Sequence, residues 1–129
     1  MVDSKISAMN LPTELGTLVE MTSFQIWSTL PDGGTIPTEL GNCEKLELLQ
    51  IQGISINGPI PTEFGKLTNL SRLILQTNGL SGSVPSELGL LTDLEWLQIA
   101  LNDLEGSLPP ELGNLKELAC KLKELANKD

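Results

Sequence analysis

The chain has 129 residues, a formal net charge of −9 and an aromatic content of only 3%, with neither histidine nor tyrosine. That length and composition fit one small domain with an aliphatic core. Residues 1–113 hold 14 acidic and 4 basic side chains, a body that repels phosphate backbones, so no nucleic-acid partner is expected. No apolar run approaches a membrane span, and no basic region followed by an apolar stretch opens the chain, so the sequence predicts neither a membrane span nor a secretory leader.

In chain order, residues 1–20 form an N-terminal cap and half-repeat, with Ile6 and Met9 as apolar contacts and Leu11, Pro12, Glu14, Leu15, Gly16 and Leu18 as the half-unit. The unit 21–45 places Met21, Phe24 and Ile26 on a strand and Gly34, Ile36, Pro37, Glu39, Leu40, Gly41 and Cys43 after it. It spans 25 residues, with an insertion expected in the 27–33 loop. Units 46–69, 70–93 and 94–117 then superpose without a gap at a period of 24. Leu46, Leu49, Ile51, Gly58, Ile60, Pro61, Gly65 and Leu67 recur as Leu70, Leu73, Leu75, Gly82, Val84, Pro85, Gly89 and Leu91. They recur again as Leu94, Leu97, Ile99, Gly106, Leu108, Pro109, Gly113 and Leu115. A fixed period of this length specifies stacked units.

Each unit has a physical reading. Leu-x-x-Leu-x-Leu ends in the period-two alternation of a strand with one buried face. Asn78 and Asn102 follow, and a side-chain amide that both donates and accepts can satisfy backbone groups that no ladder reaches. Ile54 stands where the preceding unit would carry Asn, so an asparagine ladder is expected through Asn78 and Asn102 alone. Leu80 and Leu104 point inward, Gly82 and Gly106 permit a left-handed backbone, and the following proline ends sheet pairing. Thr62 and Ser86 are expected to cap one-turn helices whose inward residues are Phe64 and Leu67, or Leu88 and Leu91. Last, residues 115–128 switch to helical spacing, with Leu115, Leu118, Leu122 and Leu125 on one face, as a lid over the final coil.

The combined pattern LxxLxLxxNxLxGxIPxELGxL resembles the plant-type leucine-rich repeat of plant receptor ectodomains and polygalacturonase inhibitors, with similar repeats in algae, over residues 11–118. The resemblance implies an α/β repeat solenoid: a right-handed superhelix with short parallel strands on its concave face, 3₁₀ helices on its convex face and a C-terminal capping α-helix. It also implies an extracellular or membrane-receptor parent, although the paired-cysteine N-terminal cap of secreted relatives is missing.

Catalysis is not expected. There is no His or Tyr, no Gly-rich phosphate loop and no metal-ligand cluster, so no catalytic residue, metal or cofactor is assigned. The column Glu14, Glu39, Glu63, Glu87 and Glu111 reads as hydrated first-turn acids favouring the helix dipole. Cys43 occupies a core leucine position and reads as a small buried hydrophobe. It lies roughly 15 Å from Cys120 at strand spacing, too far for a disulfide. Cys120 reads as an incidental thiol on a monomer or as a link between two chains. Asn69-Leu70-Ser71 is a glycosylation sequon just before a strand.

Function is then sought at the variable strand positions of the concave sheet. Trp27, Leu48, Gln50, Gln52, Arg72, Ile74, Gln76, Trp96 and Gln98 are the candidate partner-binding residues. They include both tryptophans and the only arginine, the residue types that most often anchor interfaces. Trp27 is also open to a core placement through the inserted residue. Three functions remain: a protein or peptide recognition module; a structural scaffold, truncated fragment or engineered repeat protein with no ligand; and binding to an ice or polysaccharide surface through the hydroxyl column Thr13, Thr38, Thr62 and Ser86.

Overall fold

The computed structural model describes residues 11–27, 34–115 and 118. Among them the chain repeats one coil: strand, turn, 3₁₀ helix, return. The helices are η1 (Thr13–Thr17), η2 (Thr38–Asn42), η3 (Thr62–Lys66), η4 (Ser86–Leu90) and η5 (Pro110–Asn114). The strands are β1 (Ser23–Trp27), β2 (Leu48–Gln52), β3 (Asn57–Gly58), β4 (Arg72–Ile74), β5 (Gly79–Leu80) and β6 (Trp96–Gln98).

The period-two alternation decides how the main sheet faces. β1, β2, β4 and β6 pair in parallel in that order, in a register that aligns Phe24, Leu49, Leu73 and Leu97. All four are buried, with Ile26 and Ile51 in the next inward row. A parallel pair needs a crossover connection, and here each crossover is the rest of the coil. Its apolar residues complete the core: Ile60, Phe64 and Leu67 in one coil, and Val84, Leu88 and Leu91 in the next. The insertion expected in the 27–33 loop and the capping helix expected over 115–128 fall, apart from Trp27, Leu115 and Leu118, outside the described residues, as does Cys120; Leu115 and Leu118 are buried.

A second, smaller sheet was not anticipated by the sequence pattern. Asn57–Gly58 pairs in parallel with Gly79–Leu80, and Thr35 bridges to Asn57. The Asp103 and Glu105 N–H groups carry the contact onward to the Leu80 and Gly82 carbonyls, at 2.8 and 2.9 Å. Asn57, Gly58 and Gly79 are turn formers, a composition that reads as loop in a single sequence.

The asparagines behave as their chemistry requires. Asn78 Oδ1 accepts the Ile54 N–H at 3.2 Å, while Nδ2 donates to the Ile51 and Leu75 carbonyls at 2.8 and 3.1 Å. Asn102 does the same one coil later, accepting from Leu80 N–H and donating to the Leu75 and Ile99 carbonyls. Asn69 of the sequon donates to the Glu44 carbonyl at 3.0 Å, a structural bond between coils.

Two details of the helix side emerge only in the folded chain. Proline, not threonine or serine, is the N-cap of every described helix, and no side-chain cap bond forms. The proline carbonyl already accepts the first helical N–H, as in Leu15 to Pro12 and Phe64 to Pro61 at 3.1 Å. The hydroxyls therefore stand one residue too late to cap. They are exposed and lie 3.4 Å from the adjacent glutamate in Thr13, Thr38 and Thr62, beyond a good O–H···O distance. The second concerns Gly41, whose role is clearance: a Cβ there would sit 2.6 Å from the Glu63 carbonyl oxygen and 2.8 Å from its Cβ. Gly16, Gly65 and Gly89 face the following coil in the same way.

Truncating Leu73, which is fully buried, to Ala is expected to cost about 2–5 kcal/mol, measured by urea unfolding. Gly41→Ala should cost about 1–3 kcal/mol through forced separation of two coils. Gly113→Ala, whose Cβ would meet nothing within 4 Å among the described residues, should leave the unfolding midpoint close to wild type.

Candidate functional site

The pleat that sends Leu49, Leu73 and Leu97 inward turns their neighbours out on the opposite face of the main sheet. Register sorts these into columns: Ser23, Leu48, Arg72 and Trp96 in one, and Gln25, Gln50, Ile74 and Gln98 in the next. Trp27 pairs with Gln52 in a third. Gln76 follows β4, where the sheet continues through Leu75 N–H to Gln98 O at 2.7 Å and Thr77 N–H to Ala100 O at 3.1 Å. The structure thus gathers all nine candidate side chains on one face.

Exposure distinguishes them. Trp27 is 59% exposed, which places it on the face and not in the core. Arg72 is exposed, and Leu48, Gln50, Gln52, Ile74, Gln76, Trp96 and Gln98 are half-buried against one another and the sheet. Leu101, just beyond the fourth strand, is 74% exposed and holds φ at +59°, a left-handed conformation shared by Gly53 and Thr77 at the equivalent positions. Gly53 meets that requirement without a side chain, so a leucine here combines an unfavourable backbone with unfavourable exposure. The signal available in sequence was its alignment with Gly53, immediately before the asparagine position.

Electrostatically the face is sparse. Arg72 is flanked in its column by Leu48 and Trp96, while the exposed Glu47 and Glu95 open their strands. Among the described residues the ion pair joins Lys45 to Glu20 at 2.6 Å on the surface, and Arg72 makes none. No polar or charged side chain of the described residues is buried, and none of their buried polar atoms lacks a partner. Cys43 is fully buried and donates its S–H to the Leu15 carbonyl at 3.2 Å. Burial pushes its thiol pKa up, away from the reactive thiolate. No group of three His, Cys, Asp or Glu side chains is placed to hold a metal among the described residues.

Two concavities of the described residues bear on the site. One, about 260 Å³, lies on the sheet face between the first two strands and is lined by Gln25, Trp27, Gln50 and Gln52. The other, about 510 Å³, is lined by prolines and hydroxyls of the turns, including Pro59, Thr62, Ser83, Pro85, Ser86 and Ser107. No helix of the described residues is long and apolar enough to cross a membrane.

Comparison with known proteins bears on the whole of this geometry. The family model for the Leucine Rich Repeat matches residues 93–115. No curated protein matches the chain. Among solved structures, the leucine-rich repeat ectodomain of the receptor kinase GASSHO1/SCHENGEN3 from Arabidopsis thaliana, in complex with CASPARIAN STRIP INTEGRITY FACTOR 2, is 39% identical over 84% of this chain, with a TM-score of 0.79. The Arabidopsis receptor kinase HAESA, in complex with the peptide hormone IDA and the co-receptor SERK1, is 31% identical over 84% of it, with a TM-score of 0.78. A plant ice-binding protein is 31% identical over 88%, with a TM-score of 0.77. The chain spans 13% and 18% of the two receptor chains and 36% of the ice-binding protein. The 24-residue pattern, the parallel strands and 3₁₀ helices it forms, and these likenesses agree: the chain is built of leucine-rich repeats of the plant type.

Proposed function

We propose that this chain is a non-catalytic recognition module that holds a protein or peptide on the concave face of a right-handed leucine-rich repeat solenoid. The observation that carries the reading is the column Leu48, Arg72 and Trp96, which sets the only arginine between two apolar side chains on a rigid ladder. Interface energy concentrates in such anchors, Trp and Arg foremost. One structural relative is in complex with the peptide hormone IDA and another with CASPARIAN STRIP INTEGRITY FACTOR 2, which supports the same use of the fold here. On this reading residues 1–129 act as one domain, and the module works as a monomer.

A second reading has its own observation. The hydroxyls of Thr13, Thr38, Thr62 and Ser86 cap no helix, so capping no longer accounts for their recurrence at coil spacing on the surface. Ice binding through this column is the alternative, and one structural relative is an ice-binding protein.

Selection of a displayed random-peptide library on the wild-type chain should return a consensus sequence. For that peptide, the Trp96→Ala, Arg72→Ala double variant should lose at least about tenfold in affinity with unchanged circular dichroism. A library that yields no consensus, or a peptide indifferent to both substitutions, overturns the first reading. Under the second, the wild-type chain should slow ice recrystallisation, and Thr38→Lys with Thr62→Lys should abolish the effect.

A further inference from the structure

The geometry points to a neutral saccharide site at the β1–β2 end of the sheet face, built from Trp27, Gln25, Gln50 and Gln52. It lies beside the Leu48, Arg72 and Trp96 column and does not depend on the peptide reading.

Four side chains define its dimensions. Gln25 pairs with Gln50, and Trp27 with Gln52, across adjacent parallel strands, a separation of about 4.7–4.9 Å. Gln25 to Trp27, and Gln50 to Gln52, are each two residues along a strand, about 6.6 Å. The four corners therefore frame an area the size of one pyranose ring, over an open cleft of about 260 Å³. Backbone pairing fixes all four bases, so the frame is built before any ligand arrives.

The chemistry of the lining selects the ligand. A sugar ring offers an apolar face of C–H groups and a rim of hydroxyls that both donate and accept. Trp27, 59% exposed, offers the electron-rich face on which polarised C–H groups stack. Each glutamine amide offers a carbonyl acceptor and two N–H donors, which matches the dual character of the hydroxyl rim. Part of that capacity is already ordered: Gln50 Nε2 donates to Gln52 Oε1 at 3.0 Å, and Gln25 Nε2 to Ser23 Oγ at 3.2 Å. These bonds orient the amides while leaving the Gln50 and Gln25 carbonyl oxygens and the Gln52 amino group to face a ligand.

Charge settles the class further. Among the described residues no ionisable side chain lines the cleft, so they offer neither a counter-charge for a uronic acid or sulfated sugar nor a partner for a peptide's charged groups. A chain of net charge −9 disfavours polyanions in addition.

The test uses the full chain and three neutral probes, the hexamers of β-1,4-glucan, β-1,3-glucan and β-1,4-mannan, with an oligogalacturonate as the charged comparison. Side-chain amide NMR shifts of Gln25, Gln50 and Gln52 in the wild-type chain, and Trp27 fluorescence in a Trp96→Phe background, are read during titration. At least one neutral hexamer should give saturable shifts of all three amides, weakened about tenfold by Trp27→Ala and by Gln50→Ala at unchanged circular dichroism, and largely retained by Trp27→Phe. Silence with all three neutral probes overturns the proposal. So do shifts that survive Trp27→Ala unchanged, or stronger binding of the oligogalacturonate. None of these outcomes bears on the peptide selection, which is scored at Arg72 and Trp96.

Discussion

Successive coils can stack only as closely as their backbones permit on both sides of the solenoid. On one side the parallel ladder sets the spacing, about 4.7–4.9 Å between strands. On the other, 3₁₀ helices lie so close that a methyl group at Gly16, Gly41, Gly65 or Gly89 would stand 2.5 to 3.1 Å from the following glutamate's carbonyl oxygen. Removing the side chain at that position lets the helix side keep pace with the strand side. The remaining features of the fold rest on that clearance: it brings Phe64, Leu67, Leu88 and Leu91 into one continuous core and aligns the strands in register.

Stacking at this distance leaves backbone groups in the turns that neither sheet reaches, and burying them unpaired would cost about 1–3 kcal/mol apiece. Asn78 and Asn102 answer this with amides that bond their own coil and the one before. The small second sheet, passing from Thr35 through Asn57 to Gly79, performs the same service at the next turn. Between them the described interior contains only apolar side chains. With such a core, the polar and charged side chains of the described residues all stand at the surface.

The surface inherits its order from the core. Because side chains alternate along a strand, the same register that stacks Leu49, Leu73 and Leu97 inside also aligns Leu48, Arg72 and Trp96 outside. Variable residues are thereby displayed on a rigid lattice, in fixed columns of glutamine, tryptophan and one arginine. Leu101 departs from economy at the edge of this lattice, with a left-handed backbone and a side chain open to solvent. The rigidity of the neighbouring coils over-determines that conformation.

The sequence by itself determined the stacking, the inward set and the displayed set, because each is a matter of period: 24 residues from coil to coil and two along a strand. Asn78 and Asn102 were legible for the same reason, their amide chemistry having few other uses in a tight turn. Only the tertiary structure decided the rest. Proline's carbonyl displaced the threonine hydroxyls from capping, and the second sheet formed around the turn formers Asn57, Gly58 and Gly79, since both depend on which backbone groups of another coil lie within reach. Trp27 was open between core and face until the chain was folded; its register opposite Gln52 put it in solvent. Local pattern fixes which residues can be buried, while the distance between residues 24 apart fixes which of their backbone groups must be satisfied, and that distance exists only in the stacked coil.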